Sequence, residues 1–222
     1  MYVVNELPPQ IDRRLLDRLI QADPATIGHF LHIGFMEPAI RGLTPNTRIA
    51  GTAVPVRAPG PDSTILHYAL GQVREGDVLV IDRCGDHKHA GTGGVVAYAA
   101  RKAGVAGIIV DGVVADLHEL REYGVPIWAR GSSGITTKRG MGCGGWFCVP
   151  ASCGGVVVQP GDAILADESG ILVLRPEQIE AAADRALQLQ AAEKEILKRL
   201  DAGEKLPDIS GATKRVLEGL SA

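Results

Sequence analysis

Three short apolar runs dominate the middle of the chain: Val78–Asp82 (VLVID), residues 106–111 (AGIIVD) and residues 125–130 (VPIWAR). Two helix-like segments lie between them. VVAYAARKAG ends at Gly104, and Asp116–Tyr123 (DLHELREY) ends at Gly124. Glycine readily takes the left-handed turn that closes a helix. Strand, helix, strand, helix, strand at this spacing assembles naturally as a parallel βαβαβ unit. Ligands of such sheets gather at the carboxyl ends of the strands, so the loops after residues 82 and 111 are where chemistry is expected.

The flanks read less regularly. Residues 11–22 place Ile11, Leu15, Leu16 and Leu19 on one helical face, and Asp23-Pro24 opens a second short helix through Phe30. Residues 48–57 alternate and are rich in β-formers, with Pro55 placing that part at an edge or a bulge. STILHYAL reads as a helix with Ser63 near its cap. After Gly131, β-type runs at 146–149, 154–158, 163–166 and 171–174 are separated by turns such as Gln159-Pro160-Gly161-Asp162 and Asp167-Glu168-Ser169-Gly170. Pro176 opens a long helix to about Leu200, with Ile179, Ala183, Ala186, Ile196, Leu197 and Leu200 expected against the core, and the last twenty residues read as an arm. The expectation is one domain over residues 1–222, with N-terminal helices at about 11–32 and a C-terminal helix and arm at about 176–222.

Composition narrows the function classes. Aromatics make up 4% and Gly numbers 28, so Val, Ile, Leu and Ala must fill the core, and few rings remain for stacking on bases. The formal charge is −3 with no basic block, which argues against a nucleic-acid partner. No apolar run approaches a membrane span and the N-terminus lacks a signal core, so a cytoplasmic location is expected. Of four cysteines, Cys143, Cys148 and Cys153 are spaced five apart, wider than zinc-ribbon pairs, and read as buried thiols.

Three groups of residues could carry chemistry. Ala90-Gly91-Thr92-Gly93-Gly94-Val95 follows a strand and starts a helix, where unpaired N–H groups and a positive dipole end favour a carboxylate or phosphate. The same glycines also suit a bare tight turn. Asp116, with Asp111 behind it, could hold Mg²⁺ or Mn²⁺ or could merely cap its own helix. Asp86-His87-Lys88-His89 puts two imidazoles on one side if extended, suited to a transition metal or to acid–base work. His118 and Glu119 are weaker candidates on the helix that follows.

With these phrases in view, the chain resembles the RraA-like family, which includes class II 4-hydroxy-4-methyl-2-oxoglutarate/4-carboxy-4-hydroxy-2-oxoadipate aldolases. The resemblance covers roughly residues 40–175 and rests on AGTAVPVRAPGPDSTILHYAL, GDVLVID, GGVVAYAARKAGVAGIIVDGVVADLHELREYGVPIWARG and VQPGDAILADESGILVL. It implies an α/β fold, an α/β/β sandwich similar to a swivelling phosphohistidine domain, assembled as a homotrimer or dimer of trimers. The family's aldolases carry an acidic residue, twenty residues, then Arg-Asp. Here those positions are Gly94, Ala115 and Asp116. The resemblance therefore implies Asp116 as ligand to Mg²⁺ or Mn²⁺, and the backbone of Gly93, Gly94, Val95 and Val96, beside Ala115, as the cradle for a substrate carboxylate.

The function so implied is a divalent-metal-dependent lyase on a small 2-oxo acid, by retro-aldol cleavage or decarboxylation. Arg83, Lys88, His87 and His89 are the residues expected to reach into the space left by the missing arginine. Two alternatives stand beside it: an enzyme of altered chemistry using Asp86, His87 and His89 (hydrolase, isomerase or hydratase), and a non-catalytic regulator that binds a nuclease or another protein.

Overall fold

The computed structural model describes residues 1–220. Strand β1 (Tyr2–Val4) precedes helices α1 (Arg13–Leu19) and α2 (Pro24–Ile27), then β2 (Arg41–Gly42), β3 (Ile49–Arg57), α3 (Thr64–Leu70) and β4 (Asp77–Asp82). Helix α4 (Gly94–Lys102), β5 (Gly107–Val114), α5 (Leu117–Tyr123) and β6 (Ile127–Ser132) complete the expected βαβαβ unit. Strands β7 (Gly145–Phe147), β8 (Ala151–Cys153), β9 (Val156–Val158), β10 (Ala163–Ala166) and β11 (Ile171–Leu174) follow. A 3₁₀ turn at Pro176–Gln178 leads into α6 (Ile179–Asp201), α7 (Leu206–Ile209) and α8 (Ala212–Gly219).

The main sheet runs β1-β7-β3-β4-β5-β6-β2, and β3–β4–β5–β6 are mutually parallel. Alternation along the strands splits the core into layers. Val54, Val56, Leu79, Ile81, Ile108 and Val110 face α3, α4 and α5. Ala53, Val78, Val80, Ile109 and Trp128 face the other way, onto Ile164, Ala166, Ile171 and Val173 of the β10–β11 hairpin and onto Val158. That is the expected α/β/β sandwich. The hairpin's outer face, through Leu165, Leu172 and Leu174, is covered by Leu19 of α1, Ile27 of α2 and Ile179 and Ala183 of α6.

Pro55 departs from expectation, because β3 is central rather than at an edge. One side of β3 pairs with β4 along Thr52–Arg57. The other side changes partner: β10 pairs with Ile49–Thr52 and β7 with Val56–Arg57, both antiparallel. Pro55 sits in the seam between them, where a missing N–H leaves no ladder bond unmade.

The long helix is also corrected. Ile179, Ala183 and Ala186 are buried as expected, but Ile196 and Leu197 are exposed, Leu197 by 53%, and Leu200 is half-buried. A helix of 23 residues is about 35 Å long. Only its first two turns lie on the β10–β11 hairpin, and the rest projects past it. Helices α7 and α8 have no buried residue. The arm is thus helical over its described part, and residues 221–222 lie outside the described residues. Among the cysteines, Cys148 and Cys153 are buried, whereas Cys84 and Cys143 are exposed. Burial pushes the Cys148 thiol up to about 11. No helix among the described residues is long and apolar enough to cross a membrane.

Candidate active site

The loop before α4 is stitched to the end of β5. Thr92 bridges Val114 in parallel, and the Ala115 N–H donates to the Thr92 carbonyl at 2.9 Å. This brings Gly93 and Gly94 beside Ala115 and Asp116 on the rim formed by the carboxyl ends of β4 and β5. The two stretches singled out in the sequence, twenty-two residues apart, meet here.

Asp116 has φ +56° and ψ 45°, the left-handed region, which a short polar side chain tolerates better than most. It flanks α5, yet its carboxylate accepts nothing from that helix. Its Oδ2 instead accepts the Gly94 N–H at 2.8 Å. The expected alternative, that Asp116 caps its own helix, is therefore replaced: it caps the neighbouring α4. Glycine is required for that approach, since a Cβ on Gly93 would lie 2.5 Å from Asp116 Oδ2. The first turn of a helix leaves its leading N–H groups without helical acceptors. Asp116 takes that of Gly94, and those of Val95 and Val96 follow. The Val95 side chain is 80% exposed, so this helix start opens outward.

The surroundings of the missing arginine are apolar. Ala115, Ala90 and Val113 form a small buried cluster of their own. Arg83 does not reach into this space. It is completely buried, and its guanidinium donates to the Ala58 carbonyl at 2.6 Å, the Gly60 carbonyl at 2.5 Å and the His89 carbonyl at 3.4 Å. It is a strut under the loop, and the glycines at 91 and 112 make room for it: a Cβ on Gly112 would stand 2.5 Å from Arg83 Cγ.

The Asp86–His89 segment bends instead of extending. Asp86 Oδ1 accepts the N–H groups of Lys88 and His89 at 2.9 and 3.1 Å, an Asx-type turn that abolishes the alternation expected to align the imidazoles. His89 Nδ1 lies 2.8 Å from Asp86 Oδ2, while His87 Nε2 faces Asp111 Oδ1 at 3.9 Å. The two rings thus have separate partners. Burial opposes the charge of Asp86, but the amides of Lys88 and His89 and the His89 ring outweigh it and hold the carboxyl below its ordinary range. The Lys88 side chain is exposed, and among the described residues it makes no ion pair. Asp111 is committed elsewhere: it pairs with Arg130, which also holds Glu37 at 2.8 Å, and accepts the Gly154 N–H at 2.8 Å.

Two features escaped the sequence. Thr92 keeps a fully buried hydroxyl with no hydrogen-bond partner. Asp62, also fully buried, gathers the Thr64 N–H and hydroxyl and the Cys143 N–H at 2.9, 2.6 and 3.2 Å. An Asp two residues before a helix-starting Thr was the available signal for the second; nothing local marks the first.

A divalent cation fits the oxygen chemistry here in part. Among the described residues no three His, Cys, Asp or Glu side chains converge as a ready cage. Asp116 offers one oxygen not engaged by Gly94, and a hard cation on a single carboxylate takes its remaining ligands from water and substrate.

The α/β/β sandwich thus brings a helix N-terminus and an aspartate together at the strand ends. A family model described as RraA-like (Aldolase/RraA) matches residues 23–173, and the chain belongs to that family. It is 35% identical over 152 residues to a Halalkalibacterium halodurans protein with the provisional name 4-hydroxy-4-methyl-2-oxoglutarate aldolase, covering 68% of this chain and 71% of that one. An uncharacterised Pseudomonas syringae protein of known structure superposes with TM-score 0.77 at 26% identity, over 96% of this chain and 99% of its own. Streptomyces coelicolor RraAS2, described as an unusual member of the RNase ES inhibitor RraA family, superposes with TM-score 0.74 at 28% identity, over 86% and 97%.

Proposed function

We propose that the chain is a divalent-cation-dependent lyase acting on a small 2-oxo acid, by retro-aldol cleavage or decarboxylation. The observation that carries this is the Asp116 carboxylate held against the N-terminus of α4 beside Gly93. The substrate carboxylate would take the free N–H groups of Val95 and Val96, aided by the positive end of the helix. The bare backbone at Gly93 and Gly94 lets it approach closely. A cation held by Asp116 would supply the charge that draws electrons toward the 2-oxo group. Gly94 fixes the direction of Asp116, so that carboxylate is positioned before any ligand arrives. With Ala115, Ala90 and Val113 lining the neighbouring space, no side chain shares the developing negative charge. Losing one such donor typically costs on the order of 10²–10³ in rate, so slow turnover is expected.

The test is pyruvate release from oxaloacetate and from 4-hydroxy-2-oxo acids with Mg²⁺ or Mn²⁺ supplied. Turnover that vanishes in Asp116→Asn supports the reading, and no turnover across the panel overturns it. A homotrimer or dimer of trimers in the cytoplasm belongs to the same proposal.

A second reading, a non-catalytic regulator that contacts a protein, is favoured by the apolar floor around Ala115 and by the likeness to RraAS2. It predicts a stable protein complex that survives Asp116→Asn. The Asp86–His89 pair keeps acid–base chemistry of another kind open as a third reading, which loss of activity in His89→Ala with Asp116→Asn still active would favour.

A further inference from the structure

Arg83 is the only fully buried basic side chain among the described residues. Its place as a strut accounts for its hydrogen bonds but not for its charge. The carbonyls of Ala58 and Gly60 need N–H donors, and neutral donors meet that need. A guanidinium stays protonated even when buried, and taking it out of water is costly unless the charge is closely paired. The pairing here is loose. The one carboxylate within ion-pair distance among the described residues is Asp86, with Oδ2 at 3.5 Å, and that oxygen also faces His89 Nδ1 at 2.8 Å. The Nε of Arg83 is buried and has no partner.

The guanidinium is also directed. Its Nη2 faces the Gly60 and His89 carbonyls and Asp86. Gly91 lies against the rest of the group: a Cβ there would stand 3.1 Å from Nη1, 3.2 Å from Cζ and 3.4 Å from the unpaired Nε. From Gly91 the chain runs through Thr92 and Gly93 to Gly94, whose N–H meets Asp116 at the start of α4. Three residues span at most about 11 Å, so the buried charge lies close behind the first amides of α4. Those amides stand among acids. A Cβ at Gly94 would lie 3.2 Å from Glu119 Cβ and 3.6 Å from Asp116 Oδ2. A carboxylate arriving there meets two negative neighbours, and Arg83 is the positive group set beneath the same turn.

We propose that Arg83 is a positioning residue of the acid site: from beneath Gly91 it holds the turn that leads into α4 and supplies positive charge that draws an anion to the Val95 and Val96 amides. The arginine missing at Ala115 is thus answered by a buried charge acting at a distance, not by a side chain in contact. The inference rests on the lyase reading for the acid but is tested by binding, apart from turnover. Buried charges are screened far less than exposed ones. Across roughly 10–15 Å of protein, one elementary charge changes the affinity for an anion several-fold, and more for a dianion.

The experiment is oxalate binding by calorimetry, at one Mg²⁺ concentration and one pH, on wild type, Arg83→Lys, Arg83→Met and Asp86→Asn, with a melting curve for each. Arg83→Lys keeps the charge and loses the planar fork, whereas Arg83→Met loses both, so both should melt below wild type. The expected result is oxalate affinity weaker by about five-fold or more in Arg83→Met but within about two-fold of wild type in Arg83→Lys. Asp86→Asn keeps an acceptor for the Lys88 and His89 amides and removes the countercharge, so it should bind oxalate about two- to five-fold more tightly. Arg83→Lys as weak as Arg83→Met, or Arg83→Met within about two-fold of wild type, reduces Arg83 to a strut and overturns the inference. Should Arg83→Met be unfolded at the assay temperature, Asp86→Asn decides, and unchanged or weaker binding there overturns it. The expected binding pattern without pyruvate release across the substrate panel leaves this inference standing while the lyase reading falls. Wild type that binds no oxalate overturns this inference and the acid-binding part of the lyase reading together.

Discussion

At Asp116 a backbone conformation that costs most side-chain-bearing residues about 1 kcal/mol or more is retained, and its effect is to aim one carboxylate at the Gly94 amide. The arrangement makes Gly93 a sharp test. Its φ of −141° is open to any residue, so Gly93→Ala should fold normally. The new methyl, 2.5 Å from Oδ2, should push Asp116 aside and weaken Mn²⁺ binding by about ten-fold or more, with the melting temperature nearly unchanged. Asp62 tests the same chemistry in a structural role. Burial opposes its charge, but the bonds from Thr64 and Cys143 outweigh it and hold its carboxyl below the ordinary range. A depressed folded-state value contributes stability above the unfolded value and loses it as pH falls through the folded one. Asp62→Asn should thus cost about 1–3 kcal/mol at pH 7, and urea denaturation should show the gap to wild type shrinking below about pH 4.

Among elements, the βαβαβ unit was legible because its information is local: apolar runs, helical periods and the glycines at 104 and 124. Pro55 was misread because the seam that accommodates it is made by β7 and β10, about a hundred residues further on. The same distinction runs through the site. Gly93, Gly94 and Asp116 could be placed on one rim from the order of strands and helices alone. Arg83 could not, because a charged residue after a strand reads as surface, and its burial depends on the carbonyls of Ala58 and Gly60 that only the folded chain supplies. The bend at Asp86 was likewise hidden, since an Asx-type turn competes with extension through one side chain. Arg83→Met should leave those carbonyls unpaired and lower stability by about 2–4 kcal/mol in urea unfolding, loosening the loop from 86 to 91.

For the whole molecule, the bare stripe on α6 and the unburied α7 and α8 distinguish a body from an arm. Exposed Leu206, Val216, Leu217 and Leu220 contribute little to the body, so a chain ending at residue 203 should melt within about 2 °C of the full chain. If these helices serve assembly, light scattering should show a smaller native mass for the shortened protein; an unchanged mass would place the subunit contacts on the body. The seam in β3 has a different consequence. During synthesis β3 emerges early, and β4 soon covers one of its sides. Its other side waits until residues 145–147 and 163–166 leave the ribosome, because both of its partners there lie late in the chain. For that interval the nascent protein carries an unpaired apolar strand edge in the middle of its future sheet, the kind of edge on which chains misassociate.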